Sequence, residues 1–313
     1  MMAYLLRRLL ATIPVMLVVA LFVFALLHLS PGDPAAVIAG DYASPEDIER
    51  IRHKLGLDAP LHHQLGIWLW QVVRGDLGTS IFSNLPVSKL IGQRLEPTLT
   101  LTACTMLFAV LLAVPMGVVA AWKVGTWVDR AVMVFAVLGF SLPVFWLGFL
   151  FIFGFALQLQ ILPVQGYVSL REGLWPCLRH LVLPSLTLGM VYMALIARMT
   201  RASMLEVLRE DYIRTAHAKG LKPHAVLLWH ALKNASLPIV TVVGVGVALL
   251  IGGVVVTESV FAIPGLGRLT VDAILHRDYP VIQGIILIFS GIYVLINLLV
   301  DLMYTVLDPR IRY

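Results

Sequence analysis

Long apolar runs dominate the pattern of hydrophobic and polar positions along the chain. Six runs meet or approach the roughly 20 apolar residues that one helical span of a bilayer needs. In chain order they are Leu9–Leu29, Leu99–Ala121, Ala131–Leu157, Leu183–Ala197, Pro238–Val256 and Val281–Leu302. The fourth is short because Arg198 and Arg201 close its apolar run. The pattern therefore predicts an all-α membrane protein with six transmembrane helices.

The longest polar stretch between these runs divides the chain into three parts. Residues 1–30 hold the N-terminal segment and the first span, residues 31–97 lie outside the membrane, and residues 98–313 form a core with the other five spans. The first apolar run is longer than the core of about 7–15 residues that is typical of a signal peptide. We therefore expect it to remain in the protein as a transmembrane helix.

The beginning of the segment outside the membrane carries clear turn and helix signals. The run Ser30–Pro34 is rich in turn-forming residues and predicts the end of the first span. Ser44 followed by Pro45 is typical of a helix start, because serine caps the first turn and proline fits its first position. Gly56 predicts the end of that helix.

Trp68 and Trp70 mark a second helix in the same segment. Two interpretations of this helix remain open. It lies at the membrane interface, where indole rings prefer to sit, or its tryptophans serve ordinary internal packing.

The stretch between the fourth and fifth spans, residues 198–237, alternates charged and less polar positions at helical spacing. The less polar face falls on i, i+3 and i+4 positions and predicts an amphipathic helix; its members are Met204, Val207, Leu208, Tyr212, Thr215 and Ala216. Gly220 is a natural end for this helix. Pro223 fits the first turn of a second helix that runs through Trp229 to Asn234. The sequence predicts helix, break, helix; we call residues 198–237 the coupling loop.

Composition agrees with a membrane protein: 59% of the residues are hydrophobic, 13% are charged, and the mean hydropathy is +0.90. With six spans both termini and the coupling loop fall on one side. Most of the 23 basic residues lie there with few acidic ones, whereas the opposite side is nearly balanced. Because basic residues concentrate in cytoplasmic loops, we expect both termini in the cytoplasm. Topology thus explains the net charge of +5, and no nucleic-acid partner is predicted.

Sequence motifs argue against catalysis and metal binding by this chain. It has no Gly-x-x-x-x-Gly-Lys-Ser/Thr phosphate loop, so we do not expect it to be its own ATPase. It also lacks His-Glu-x-x-His and Gly-x-Ser-x-Gly, which an intramembrane hydrolase, the alternative class, would need. His53, His62 and His63 are close in sequence but lack a clear acidic partner. We therefore predict no catalytic, cofactor-binding or metal-binding residue.

Three residues in or near the spans are candidates for the translocation pathway or its gate: Ser141, Pro143 and Glu258. Proline removes a backbone donor and predicts a kink in the third span, which either lines the pathway or is only a structural bend. A carboxylate in a span is costly to insert. Glu258 therefore either contacts the amine end of a bound substrate or holds a gate, or it serves the structure as a cap or as a partner of Arg268.

The coupling loop resembles the permease subunits of binding-protein-dependent ABC importers, in particular the dipeptide and oligopeptide branch, which also includes nickel importers. The resemblance rests on Asp211–Leu221, His230–Ala235 and Leu237–Pro238. The wider family has Glu-Ala-Ala, three residues, glycine, and later Ile-x-Leu-Pro. Here Arg214-Thr215-Ala216 stands in place of Glu-Ala-Ala, and the gap to Leu237–Pro238 is longer, as is usual in the peptide branch.

Further landmarks spread this resemblance over the whole chain. They are Ser30–Pro34, Gly75–Ser80, Phe140–Pro143, Glu258–Phe261, Ile263–Gly267 and Asp308–Arg312. The resemblance implies the type I ABC importer permease fold with cytoplasmic coupling helices between spans four and five. It implies a multi-pass protein of the bacterial inner membrane.

The resemblance also implies that the coupling loop docks on a separate ATPase. A rigid projection with small residues permits close approach to such a motor, and basic side chains can pair with its acidic groups. The residues expected to couple are Tyr212, Arg214, Thr215, Ala216, Ala218, Lys219, Gly220, Leu237 and Pro238. Ala216, Ala218 and Gly220 are expected to form the small surface. ATP and Mg²⁺ would bind to the partner ATPase subunits, and no cofactor to this chain.

The expected assembly contains a second homologous permease, two ATP-binding subunits and a periplasmic solute-binding protein. The expected function is ATP-driven import of di- or oligopeptides. The alternative within the same architecture is transport of nickel complexes, glutathione or another small solute.

Overall fold

The protein is described from a computed structural model. The described residues are 2–29, 35–36, 44–55 and 58–307. Within these ranges the chain is helical and forms no strand beyond an isolated bridge between Thr79 and Pro86. The prediction of an all-α protein is confirmed.

The helices of the described residues are numbered here in chain order. They are α1 (Met2–Leu29), α2 (Pro45–Leu55), α3 (Leu61–Val73), α4 (Val87–Trp122), α5 (Trp127–Ser141), α6 (Val144–Phe151, continued by the π-helix Ile152–Gln158), α7 (Leu174–Val207), α8 (Asp211–Ala218), α9 (Pro223–Ala225, the π-helix Val226–Ala231 and Leu232–Gly253), α10 (Val255–Val260), α11 (Leu266–Leu275) and α12 (Tyr279–Leu307). Helix α2 begins at Pro45, as predicted. The predictions for Ser30–Pro34, Gly56 and Asp308–Arg312 fall outside the described residues.

Five continuous helices of the described residues are long and apolar enough to cross a membrane: α1, α4, α7, α9 and α12. The pair α5 and α6 meets the same criterion only together and is bent by 104°. Counting this pair as one broken span gives the six that the sequence predicts.

The bend between α5 and α6 is much sharper than the kink that the sequence predicts. Leu142 ends α5 in an extended conformation, and its N–H donates to the Leu138 carbonyl. The ring of Pro143 disfavours helical dihedrals at the residue before it, and proline has no N–H to continue the helix. Helix α6 then starts anew, with the Leu147 N–H donating to the Pro143 carbonyl.

The fourth predicted span, Leu183–Ala197, lies inside a longer helix. Helix α7 continues to Val207, and 61% of its most apolar stretch is buried, the largest share among the candidate spans of the described residues. The helix accommodates Arg201 because this side chain has a carboxylate partner, Asp129. A charge that ends an apolar run in sequence therefore does not end the helix.

The described chain divides into two compact units. The first contains residues 1–95 and 268–294. In it Trp68 of α3 packs with Ala20 and Val23 of α1, and its ring lies 5.8 Å from that of Phe24. Trp70 is exposed. Trp68 therefore packs internally, whereas the exposed Trp70 ring has the Arg74 guanidinium 4.5 Å from its centre. The location of α3 at the membrane interface stays a prediction.

The second unit contains residues 96–267 and 295–313 and is built around α7. Helices α5, α6, α9 and α10 all pack on α7. Two glycines allow the bent pair to approach it: a Cβ at Gly139 would lie 3.0 Å from the Met190 carbonyl oxygen, and one at Gly148 would lie 3.6 Å from Thr187. The bend at Pro143 thus lets both arms of the pair lie against the same helix.

Candidate functional site

The coupling loop contains the short helix α8 at its centre. The sequence predicts one amphipathic helix through Met204 and Ala216, but the structure divides it: α7 ends at Val207, and α8 starts at Asp211 after Glu210 adopts an extended conformation. In one straight helix, Met204 and Ile213 would be about 13 Å apart along the axis. The break lets both side chains enter the same apolar cluster.

This cluster seats α8 on the rest of the unit. Ile213 and Ala216 are 2% and 6% exposed. They lie in one cluster with Val118 and Ala121 at the end of α4, Met204 at the end of α7, and Val226, Leu227, Ala231 and Ala235 of α9. Apolar burial on this scale fixes a helix that is too short to be stable alone.

The burial of Ala216 fits the less polar face that helical spacing predicts, but it corrects the assignment of Ala216 to the small docking surface that the resemblance implies. Its side chain faces its own chain instead, because α8 must bury one face to stay attached. Ala218 is exposed, as expected for a docking surface. Gly220 is also exposed and follows the helix with φ +76°, a left-handed conformation that glycine adopts without strain.

The opposite face of α8 is polar and exposed. Exposed residues of the helix include Tyr212, Arg214 and Thr215, with Lys219 at the C-terminal cap. The prediction that Tyr212 and Thr215 share the less polar face with Ala216 is wrong, because α8 buries Ile213 together with Ala216 instead. Arg214 lies 3.1 Å from Asp211 one turn earlier, and both side chains are well exposed. An exposed pair of this kind is weak, so the guanidinium can exchange this partner for a carboxylate on another protein.

Helix α9 continues the coupling loop from Pro223, which occupies the first turn as predicted. Asn234 of α9 donates to the Tyr212 hydroxyl at 2.9 Å and ties α9 to α8. Leu237 is half-buried, and Pro238 is exposed inside the continuous helix. Five of the nine predicted coupling residues therefore lie on α8, Lys219 caps it and Gly220 follows it, whereas Leu237 and Pro238 lie further along α9.

Glu258 lies in a second polar site of the same unit and is completely buried. The Thr98 hydroxyl donates to Glu258 Oε1 at 2.7 Å and accepts the Leu266 N–H at 2.8 Å. A Cβ on Gly265 would collide with the Glu258 carboxylate, and one on Gly267 would lie 3.0 Å from Oε2. The two glycines therefore form a cradle around the Glu258 carboxylate. A side chain at either position would press against this carboxylate.

A neighbouring carboxylate, Glu96, holds the loop before α7 and was not singled out from the sequence. Glu96 Oε1 accepts bonds from the Tyr167 hydroxyl at 3.1 Å, the Ser169 hydroxyl at 2.6 Å and the Leu170 N–H at 2.9 Å. Burial raises the pKa of the Tyr167 hydroxyl, which stays protonated and can donate. These partners come from residues about 70 positions away, so no local pattern reveals them.

The same loop also reaches the turn after Glu258. The Gly166 N–H donates to the Phe261 carbonyl at 2.9 Å, and Gln165 Nε2 donates to the Val260 carbonyl at 3.1 Å. A Cβ on Gly148 of α6 would lie 3.3 Å from both Val260 and Phe261. The α6 arm of the bent pair thus packs beside the turn that follows Glu258.

Ser141 lies at the opposite side of the break from α6. Its hydroxyl donates to the Val137 carbonyl at 2.8 Å and is exposed.

The histidines near α2 and α3 do not assemble a metal site in the structure. His53 has an acidic partner that the sequence does not reveal, since its Nδ1 lies 2.6 Å from a carboxylate oxygen of Asp58. The described residues nevertheless contain no group of three or more His, Cys, Asp or Glu side chains placed to hold a metal ion.

The comparisons with known proteins cover the whole chain. Residues 113–313 match the family described as the binding-protein-dependent transport system inner membrane component, and residues 1–102 match the N-terminal family of the same membrane components. The chain is 56% identical, over 99% of both sequences, to a probable peptide ABC transporter permease protein of Sinorhizobium fredii. It is 48% identical, over the full length of both, to the glutathione transport system permease protein GsiC of Pectobacterium atrosepticum.

The fold also resembles a solved structure. The MetNI methionine ABC transporter, in inward-facing conformations, aligns with a TM-score of 0.57 at 18% identity, over 70% of this chain and 96% of that one. This likeness supports the type I importer permease fold. Proteins of this family are transport subunits, and ATP hydrolysis belongs to separate subunits. The chain belongs to the binding-protein-dependent transport system inner membrane components.

Proposed function

We propose that the chain is the permease subunit of an ATP-driven importer for di- and oligopeptides, and that α8 receives the force from the ATPase. One observation carries the proposal: α8 is anchored by Ile213 and Ala216 in a buried cluster while Arg214 and Lys219 stay exposed. A helix that is anchored on one face and exposed on the other can transmit a displacement to the helices on which it packs. A flexible loop would change its own conformation instead and would not transmit the displacement.

The coupling surface consists of the exposed members of the predicted set. Tyr212, Arg214, Thr215, Ala218 and Lys219 would contact the motor, with Gly220 ending the helix. Ala216 would act from below by holding α8 in place, and Leu237 and Pro238 would connect the surface to the span of α9. The basic groups suit an acidic groove on the ATPase.

The proposed assembly is a second homologous permease, two ATP-binding subunits and a periplasmic solute-binding protein. ATP and Mg²⁺ would bind to the ATP-binding subunits. Both termini and the coupling loop would face the cytoplasm, because the basic residues concentrate on that side. The ATP-binding subunits would bind the outward-facing and inward-facing states of the permease pair with different affinities. ATP binding and hydrolysis would therefore shift the population between these two states.

The pathway assignment of Ser141, Pro143 and Glu258 remains a proposal, with different roles for the three residues. Ser141 and Pro143 flank the sharp bend of a broken span, a feature that in transporters suits the lining of a cavity. Glu258 would act as a support of the gate, because its carboxylate is buried under Gly265 and Gly267. A direct contact of Glu258 with a substrate amine would require the cradle to open.

The substrate proposal rests on the names of the relatives. A peptide permease at 56% identity favours peptides, and glutathione, carried by the system of another relative, is itself a tripeptide. The alternative cargo classes are glutathione, nickel complexes and other small solutes.

The test is uptake into proteoliposomes that contain the chain with its partner subunits and its binding protein. We expect ATP-dependent uptake of labelled di- or oligopeptides that exceeds uptake of glutathione or a nickel complex. Uptake of a non-peptide solute alone would contradict the peptide assignment. ATP hydrolysis by the purified chain alone would contradict its role as a permease.

A further inference from the structure

An ion pair joins α5 to α7 close to the coupling loop, with the Arg201 side chain 26% exposed. Asp129 is 4% exposed, and it accepts two bonds from one guanidinium: Arg201 Nε at 2.5 Å and Arg201 Nη2 at 2.8 Å. The Gly125 N–H donates a third bond to Asp129 Oδ2 at 3.0 Å. A two-nitrogen fork on one carboxylate fixes orientation as well as distance. The pair therefore holds α7 to the first turn of α5 and to the loop that follows α4.

Close backbone packing occurs beside the ion pair. A Cβ on Gly117 of α4 would lie 2.6 Å from Thr200 Cβ and 2.7 Å from the Ala197 carbonyl oxygen. Thr200 directly precedes Arg201. The backbones of α4 and α7 therefore approach each other closely here. On another side of α7, Asp129 of α5 binds Arg201 in the same region.

The seat of α8 begins three residues after Arg201. Met204 is fully buried in the cluster that also holds Val118 and Ala121 of α4 and Ile213 of α8. The position of Met204 depends on the rotation and height of the last turns of α7. The two hydrogen bonds from Arg201 to Asp129 restrain both.

We infer that Asp129 and Arg201 are positioning residues for energy coupling, which hold the end of α7 so that α8 moves as one body with α4, α5 and α7. This rests on the proposed function of α8. Stability alone is a poor reason for such a pair, because an exposed ion pair contributes little and a buried one is often no better for stability than apolar residues of similar volume. A positioning role explains a pair at this location.

The test compares charge-free and control variants in the complete complex reconstituted with its binding protein. The double variant Asp129→Asn/Arg201→Met removes both charges, so that neither remains buried alone, and the amide oxygen introduced at position 129 can still accept the Gly125 N–H. Arg198→Gln is the matched control, since Arg198 lies one turn earlier on α7 and faces the Phe140 ring at 5.9 Å. The measurements are peptide uptake per ATP hydrolysed and hydrogen exchange of the α8 amides.

We expect the double variant to lose about tenfold in uptake per ATP and to exchange the α8 amides about tenfold faster, with the melting temperature of the complex little changed. Arg198→Gln should leave all three at the parent values. Unchanged uptake per ATP and unchanged α8 exchange in the assembled double variant would overturn the inference.

Two further outcomes remain decisive. If the double variant does not co-purify with its partners, Arg201→Lys decides: it keeps the charge but not the fork, and reduced coupling supports the inference whereas full coupling overturns it. Hydrogen exchange of α8 in the full chain in detergent needs no ATPase. The double variant could show faster exchange there while charge reversal on α8 leaves uptake unchanged. That result would reject the proposed docking site and retain the positioning role of Asp129 and Arg201.

Discussion

Thr98 and Glu258 are joined by a buried hydrogen bond of 2.7 Å, although they are 160 positions apart in the chain. The same hydroxyl accepts the Leu266 N–H. One side chain of α4 thus supports both the carboxylate and the turn that covers it. This arrangement suits a fixed support better than a substrate contact.

The variant Thr98→Val tests this support, because it keeps the shape of the side chain and removes its hydroxyl. Glu258 and the Leu266 N–H both lose this partner in a buried place, and we expect the free energy of unfolding to fall by about 1–3 kcal/mol. The measurement is denaturant unfolding of the purified chain in detergent. Thr12→Val is the control, since the exposed Thr12 hydroxyl donates to the Leu9 carbonyl of its own helix. A change above about 0.5 kcal/mol in the control would undermine the comparison.

The Gly265 position gives a second test of the cradle around Glu258. Gly265→Ala places a methyl group against the buried carboxylate, and we expect a loss of about 1–3 kcal/mol from overpacking. Gly66→Ala is the matched control, because a Cβ there meets nothing within 4 Å. Alanine is the better helix former, so the control should keep or raise the stability. Equal effects of the two substitutions would show that the contact with Glu258 is unimportant.

Substitutions at Ala216 and Ala218 distinguish the packing of α8 on its own chain from its docking on the ATP-binding subunits. Ala216→Leu should lower the free energy of unfolding of the chain by about 1–3 kcal/mol, because the site is closely packed. Ala218→Leu should change it by less than about 0.5 kcal/mol, since the side chain is exposed, yet it should weaken recruitment of the ATP-binding subunits. Detergent unfolding and co-purification measure the two effects. A stable chain with Ala216→Leu would contradict the seating of α8.

The orientation of the chain is open to a labelling experiment in intact cells. Glu172→Cys and Thr126→Cys place exposed thiols in loops on opposite sides of the predicted membrane. A membrane-impermeant maleimide should label the first and spare the second, while the parent chain, with Cys104 and Cys177, gives the background. The reverse pattern would place the coupling loop outside and contradict the proposed function.

Much of the fold follows from the sequence because its signals are local. Apolar runs identify the spans, Pro45 and Pro223 begin helices where predicted, and Gly220 follows the end of α8. These features depend on side-chain chemistry within a few residues. The exposure of Arg214 and Lys219 is predictable for the same reason, since both are charged residues outside the less polar positions of the coupling loop.

The remaining features depend on contacts between distant residues. The break after Val207 and the burial of Ala216 follow from a cluster that gathers α4, α7, α8 and α9. The accommodation of Arg201 within α7 depends on its pairing with Asp129, 72 positions away. Sequence periodicity shows which positions share a helix face, but it does not show which distant residues they contact.

Charge reversal on α8 tests the proposed docking most directly. The double variant Arg214→Glu/Lys219→Glu should lose co-purification with the ATP-binding subunits and most peptide uptake, while the chain keeps its stability because both side chains are exposed. Lys123→Glu, at an exposed lysine in the loop after α4, is the control and should retain both. Normal recruitment and uptake in the double variant would contradict docking through this face of α8.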